Sequence, residues 1–285
     1  SSAAPSLSTP FVKENFEFNK LFTGATEISP RWKRCVNNTD NTLGELLGQE
    51  YVARKFSPAA KARAVTIVDN LVRELRSRIE QLPWMAPETK QQALVKLDAF
   101  NRKIGYPDKW RDYSALKIVP DSYFANVLAG QQWSSARNWG KIGKPTDRTE
   151  WGMTPPTVNA YENPLLNEIV FPAGILQPPF YDPNADDALN YGAMGAVIGH
   201  EMSHAFDDQG RQYDRFGNMR DWWTVEDSKA FRERTACLVD EYTDFTAIDD
   251  VKLDGKLTLG ENTADNGGVR IALMAYVASL VGQEA

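Results

Sequence analysis

The whole histidine complement of this 285-residue chain is two residues, His200 and His204, four positions apart in His200-Glu201-Met202-Ser203-His204. That spacing constrains the fold strongly. On a helix, residues four apart sit one turn along on nearly the same face, so both imidazoles can converge on one ion. Neutral imidazole is a good zinc ligand, and tetrahedral coordination tolerates this bite. Glu201 is rotated about 100° from His200 around the same helix, which suits it to act as a general base beside the metal rather than as a ligand. The preceding residues, Gly192 to Gly199, are small or apolar. A buried helix over 185–208 with its ligands facing a cleft is therefore expected.

Two nitrogen ligands leave one protein position to fill. Another histidine six residues on would complete one common arrangement, but position 210 is Gly, so a carboxylate or a cysteine must serve. In Gly260-Glu261-Asn262-Thr263-Ala264-Asp265, Glu261 at a helix start can reach the ion. Asp265, four residues later on the same face, can accept the second ring N–H of a ligand histidine. Helix-terminal acids answering the macrodipole are the competing explanation of the same two residues.

Around this motif the chain reads as mainly helical. Ser57-Pro58 is a good helix start, and 58–82 carries Val65, Val68, Leu71, Val72, Leu75 and Ile79 at three- and four-residue spacing. Further helices are predicted at 87–100, with Ala93, Leu94 and Leu97 inward, and within 121–139, with Phe124, Val127, Leu128 and Trp139 as core candidates. Two more are predicted at 224–246 and from near Glu261 past Ala275. The segment 142–183 holds eight of the sixteen prolines. Its β-type runs, Thr157 to Tyr161 and Glu168 to Phe171, suggest a hairpin with an edge strand, since proline cannot donate into a central ladder. This shift in character divides the chain into a mainly helical part, 1–141, and a metal-binding part, 142–285.

A net charge of −6 gives no basic face for nucleic acid. No apolar run reaches the roughly 18 residues that a membrane span needs, and the first ten residues lack the pattern of a secretory signal. Cys35 and Cys237 are too few for a disulfide scaffold; they could pair, stay free or bond outside the chain.

Several stretches resemble the neprilysin-like zinc metallopeptidases, the group of neprilysin, endothelin-converting enzymes and bacterial oligopeptidases. They are Val158-Asn159-Ala160-Tyr161, the run from Asn167 through Phe180, Val197 through Asp208 continuing to Asp221-Trp222-Trp223-Thr224, and Leu259 through Gly268. Pro30 to Cys35 and Gly44 to Phe56 are similar too, so the resemblance covers nearly the whole chain. It implies a gluzincin-type, thermolysin-like catalytic core in a mainly α fold with a small β-hairpin or edge-strand element. One Zn2+ per chain would be held by His200, His204 and Glu261, with Glu201 as catalytic base and Asp265 and Asp207 orienting the histidines. Asn159 and Ala160 would bind the substrate backbone by strand addition. Ile175, Phe180 and Val197 would line the pocket for a hydrophobic residue just after the cut bond.

The implied activity is endopeptidase cleavage of short peptides in an extracytoplasmic setting. Ala205 and Thr263 depart from the family's usual Gly and Ile. The family continues past its glutamate ligand to a histidine that stabilises the oxyanion and an arginine that grips substrate, and its N-terminal portion is longer. The core is thus expected to be incomplete, with the remainder of the same protein completing the cleft. A non-catalytic zinc-binding fragment is the alternative. The resemblance also implies that Cys35 and Cys237 pair with cysteines outside this stretch.

Overall fold

The computed structural model describes residues 3–281 and forms two compact units. One comprises the chain up to Ala53 with Pro107–Pro156; the other comprises Arg54–Tyr106 with the chain from Thr157 onward. Each is assembled from two stretches of sequence. The expected boundary at 141/142 was one of composition, and it falls inside the second stretch of the first unit.

The first unit contains α1 (Thr9–Thr23), most of α2 (Arg31–Lys55) and α5 (Tyr123–Trp139). Glu45 organises it. Its buried carboxylate pairs with the Arg111 guanidinium at 3.0 Å and accepts the Arg111 backbone N–H at 2.7 Å. On α5 Val127 is buried as expected, but Phe124, Leu128 and Trp139 are 38%, 40% and 72% exposed. Their spacing marks an apolar face that the described residues of this unit cover only in part.

The second unit is built on α3 (Pro58–Gln81) and α4 (Pro87–Asp98), followed by β1 (Asn101–Gly105). Ser57 caps α3 by accepting the Ala60 N–H, and Pro58 occupies the first helical turn. Val68, Leu71, Leu75 and Ile79 are buried as predicted; Ala60, Ala64 and Ile67 join them, while Val65 and Val72 lie half-buried at the margin. On α4, Ala93 and Leu97 are buried but Leu94 only partly so, and the inward position beside them belongs to Lys96, 1% exposed.

After Thr157 come β2 (Tyr161–Asn163) and β3 (Glu168–Pro172), an antiparallel pair as expected, with the first strand lying later than its predicted 157–161. Strand order is β1-β3-β2, so β2 is an edge strand and β1 runs parallel to β3. That long-range pairing has no local signal. Glu168 holds the sheet from inside: its carboxylate meets Lys103 Nζ at 2.6 Å, both groups buried, and accepts from Asn101 at 3.3 Å and the Tyr161 hydroxyl at 3.4 Å. A buried pair so satisfied is costly to break from one side.

The predicted helix over 185–208 is segmented into α6 (Asp187–Asn190), a π-helical turn (Tyr191–Gly195) and α7 (Ala196–His204). The chain continues through α8 (Val225–Asp244), a short hairpin of β4 (Thr246–Ile248) and β5 (Val251–Lys252), and α9 (Leu259–Ser279). Cys35 and Cys237 are free thiols.

Helices α7 and α9 pack closely, with main chain against main chain at two glycines. A Cβ on Gly199 would stand 2.7 Å from the Gly268 carbonyl oxygen, and one on Gly268 would stand 2.5 Å from the His200 nitrogen. Backbone cannot yield at such distances as a flexible side chain can, so both positions demand glycine. Replacing Gly268 with Ala should therefore lower unfolding free energy by about 1–3 kcal/mol. Gly192→Ala, whose Cβ would meet nothing within 4 Å, should stay within about 0.5 kcal/mol. Denaturant melts of the two variants check the contrast.

Candidate metal centre

Helix α7 carries both histidines and Glu201 on consecutive turns, and the glycine seam lays α9 directly across it. The Nε2 atoms of His200 and His204 face each other at 2.9 Å, with the rings nearly perpendicular at 89°. Glu261 Oε2, from the first turn of α9, stands 3.3 Å from His200 Nε2 and 3.6 Å from His204 Nε2.

The outer ring nitrogens are held by carboxylates. His200 Nδ1 lies 2.8 Å from Asp265 Oδ1, and His204 Nδ1 lies 2.7 Å from Asp207 Oδ2. An ionised carboxylate can only accept, so each Nδ1 must be the N–H and each neutral ring turns its Nε2 lone pair inward. Two lone pairs and a carboxylate oxygen then point at one small space. Without a cation or a proton that arrangement is repulsive, and its donors are the set that zinc takes. The residues present fit the metal.

Glu201 also lies close: it, His200 and His204 can each direct one ligand-type atom within 4.8 Å of the others. Distance and surroundings separate the two glutamates. Glu261 is largely exposed and approaches both Nε2 atoms, whereas Glu201 is 7% exposed and its carboxylate accepts the backbone N–H of Glu162. Burial raises the Glu201 carboxyl above the usual carboxylate range, against the pull of the two histidines. Burial lowers the His204 imidazole, but the Asp207 hydrogen bond and the surrounding carboxylates outweigh it, so its pKa is raised.

A cleft of about 730 Å3 opens over these atoms, lined on one side by Asn159, Ala160, Tyr161 and Glu162 beside β2 and on another by Leu257 and Glu261. Asn159 and Ala160 thus reach the cleft. Ile175, Phe180 and Val197 are not among its lining residues: Ile175 is buried in the turn after β3, Phe180 is 37% exposed and Val197 is half-buried on α7. Two residues went unrecognised from sequence. Glu162 brings an unpaired, buried Oε1 into the cleft, and burial raises its carboxyl. Lys96 lies behind the turn that follows His204. One charge in a three-residue strand and one lysine in an amphipathic helix offer no periodic signal.

The shifts at His204 and Glu201 make an opposed pair of pH dependences. Both folded-state values are raised, above 6.5 and 4.5 respectively. Their stabilisation of the metal-free chain is therefore complete below the unfolded values and lost as pH rises through the folded ones. Zinc affinity should move the other way, because the ligand must shed its proton. Melts with chelator present should show the metal-free chain losing stability as pH rises, first past the ordinary carboxylate value of 4.5 for Glu201 and then past the ordinary imidazole value of 6.5 for His204. Asp207→Asn should flatten the His204 share, and zinc titrations over the same range should tighten.

Residues 159–285 match a family model described as peptidase family M13, and residues 1–107 match a second with the same description. Among curated proteins, the chain is 43% identical over 278 residues to an endothelin-converting enzyme homolog of Locusta migratoria, covering 95% of this chain and 38% of that protein. It is 44% identical over 281 residues to endothelin-converting enzyme 1 of Bos taurus, covering 95% and 37%. Among solved structures, the zinc metalloprotease ZMP1 of Mycobacterium tuberculosis in complex with an inhibitor aligns with a TM-score of 0.90 at 49% identity, over 99% of this chain and 44% of that one. PepO from Lactobacillus rhamnosis aligns equally well, with a TM-score of 0.90, at 33% identity, over 99% and 44%. The chain spans less than two-fifths of the length of these curated relatives.

Proposed function

The chain belongs to peptidase family M13, and from that premise we propose that it carries the zinc-binding core of a metalloendopeptidase that hydrolyses short peptides. One observation carries the reading: two imidazole Nε2 atoms and the Glu261 carboxylate converge within 3.6 Å, with the buried Glu201 beside them.

In this reading His200, His204 and Glu261 hold one zinc per chain. When bound, zinc supplies a Lewis acid that polarises a carbonyl and makes water acidic enough to lose a proton near neutrality. The chain's own groups do the rest. Asp265 and Asp207 keep protons on the outer ring nitrogens and so keep the inner lone pairs free. Glu201 accepts the proton from the attacking water and delivers it to the leaving amine, and a carboxyl raised by burial suits that exchange. The edge strand β2, with Asn159 and Ala160 leading into it, borders the cleft, so an extended peptide laid along it would be held through its main chain whatever its sequence. A preference for an apolar residue after the cut bond has the family resemblance of Val197, Ile175 and Phe180 as its support, although none of the three lines the cleft.

An extracytoplasmic setting belongs to the same reading, supported by the family resemblance, which also implies that the free thiols Cys35 and Cys237 pair with cysteines outside this stretch. Among the described residues no helix is long and apolar enough to cross a membrane.

A second reading is that the 285 residues bind zinc but turn over only when the rest of the protein completes the cleft. It is favoured by the histidine count: with both histidines given to the metal, none is left to stabilise the oxyanion.

The decisive assay is cleavage of a small peptide by this chain and by the full-length protein. Chelation should abolish it. Glu201→Gln should lower kcat/KM by about 10²–10⁴-fold with zinc still bound stoichiometrically. Cleavage by Glu201→Gln at the parent rate would overturn the role of Glu201. Activity confined to the full-length protein would establish the second reading.

A further inference from the structure

Lys96 is the most deeply buried cation among the described residues, 1% exposed on the inner face of α4. Taking an ammonium out of water is expensive unless every N–H finds an acceptor. Here all three do: Nζ donates to the carbonyls of Ala205 at 2.7 Å, Gly210 at 2.7 Å and Tyr213 at 2.9 Å. A leucine would pack the same space without that cost, so the charge is explained by what it binds. Its three acceptors belong to one turn, the segment that leaves α7 directly after His204.

That turn also presents Asp207. The Asp207 Oδ1 accepts the backbone N–H groups of Gln209 and Gly210 at 2.8 and 2.7 Å, while Oδ2 rests on His204 Nδ1 at 2.7 Å. Gly210 is the link: its N–H holds Asp207 and its carbonyl is held by Lys96. A continuous hydrogen-bonded path therefore runs from Lys96 through Gly210 and Asp207 to the outer nitrogen of His204. Glycine is required at 210, since a Cβ there would stand 2.8 Å from the His204 carbonyl carbon. With no hydrogen to spare, and absent from the cleft lining, Lys96 does not act on substrate. His200 provides an internal control, because its carboxylate partner, Asp265, comes from α9.

We propose that Lys96 is a positioning residue for the metal centre: by tying the carbonyls of Ala205, Gly210 and Tyr213 it keeps the Asp207 carboxylate on His204 Nδ1, and so keeps the His204 Nε2 lone pair aimed at the metal. This rests on the zinc reading above, yet its first readout needs no zinc.

The chain has only two histidines, so ring N–H resonances of the metal-free 285-residue protein can be assigned from single-histidine variants. In Lys96→Met the His204 Nδ1–H signal should vanish or broaden while that of His200 persists. Zinc affinity, measured by chelator competition, should fall about 10- to 100-fold. Lys96→Arg, which keeps the charge but spreads its hydrogens over a planar fork instead of one tetrahedral nitrogen, should fall between the parent and Lys96→Met. Retention of both ring signals, with zinc affinity within about twofold of the parent, overturns the proposal. So does simultaneous loss of both signals in a protein that remains folded, which would indicate a general role in packing.

If Lys96→Met does not fold, Asp207→Asn decides: the 15N ammonium signal of Lys96 should move in that variant, and an unmoved signal overturns the proposal. Failure of the parent chain to bind zinc would count against the function proposed above, while the His204 signal would still decide the role of Lys96.

Discussion

Backbone contact between α7 and α9 governs the rest of the metal centre. Gly199 and Gly268 let the two helices approach until any added Cβ would strike main chain. At that separation the first turn of α9 places Glu261 over both Nε2 atoms and, one turn on, Asp265 against His200. Side chains between the helices would move Glu261 outward by more than the reach of a glutamate could recover without disturbing Asp265, since both leave the same rigid helix. The convergence of these side chains is thus set by main-chain packing.

Electrostatics follows from that closeness. Five carboxylates, those of Glu162, Glu201, Asp207, Glu261 and Asp265, surround two imidazoles, and much of the group is shielded from water. Such a concentration of negative charge favours a divalent cation at its centre and raises the His204 imidazole, while burial raises the Glu201 carboxyl. Lys96 is the protein's own counterweight. It sits behind the site rather than in it, where its charge offsets the acids while its hydrogens hold the turn that carries Asp207.

The sheet contributes an edge. Buried Glu168 ties β1 and β2 to the central β3, and that support leaves β2 outermost beside the paired imidazoles. From β2 the Glu162 backbone N–H reaches the Glu201 carboxylate. One strand therefore both contacts Glu201 and borders the cleft. Members of the family whose solved structures align over 99% of this chain share the scaffold.

What the sequence determined by itself is what local periodicity can encode. His200, Glu201 and His204 declare a helix and a metal because three positions one turn apart suffice to specify their geometry. Ser57-Pro58 and the apolar stripe after it specify α3 in the same way. Glu261 lies 57 residues beyond His204, and only the absence of a third histidine and the family resemblance pointed to it. The parallel pairing of β1 with β3 was decided by partners far along the chain, and neither the later start of β2 nor the exposure of Phe124, Leu128 and Trp139 was legible in the local pattern. Lys96 shows the reason most plainly. An amphipathic pattern assigns a lysine to solvent, and only a turn more than a hundred residues away, offering three carbonyls at once, can make it cheaper to bury.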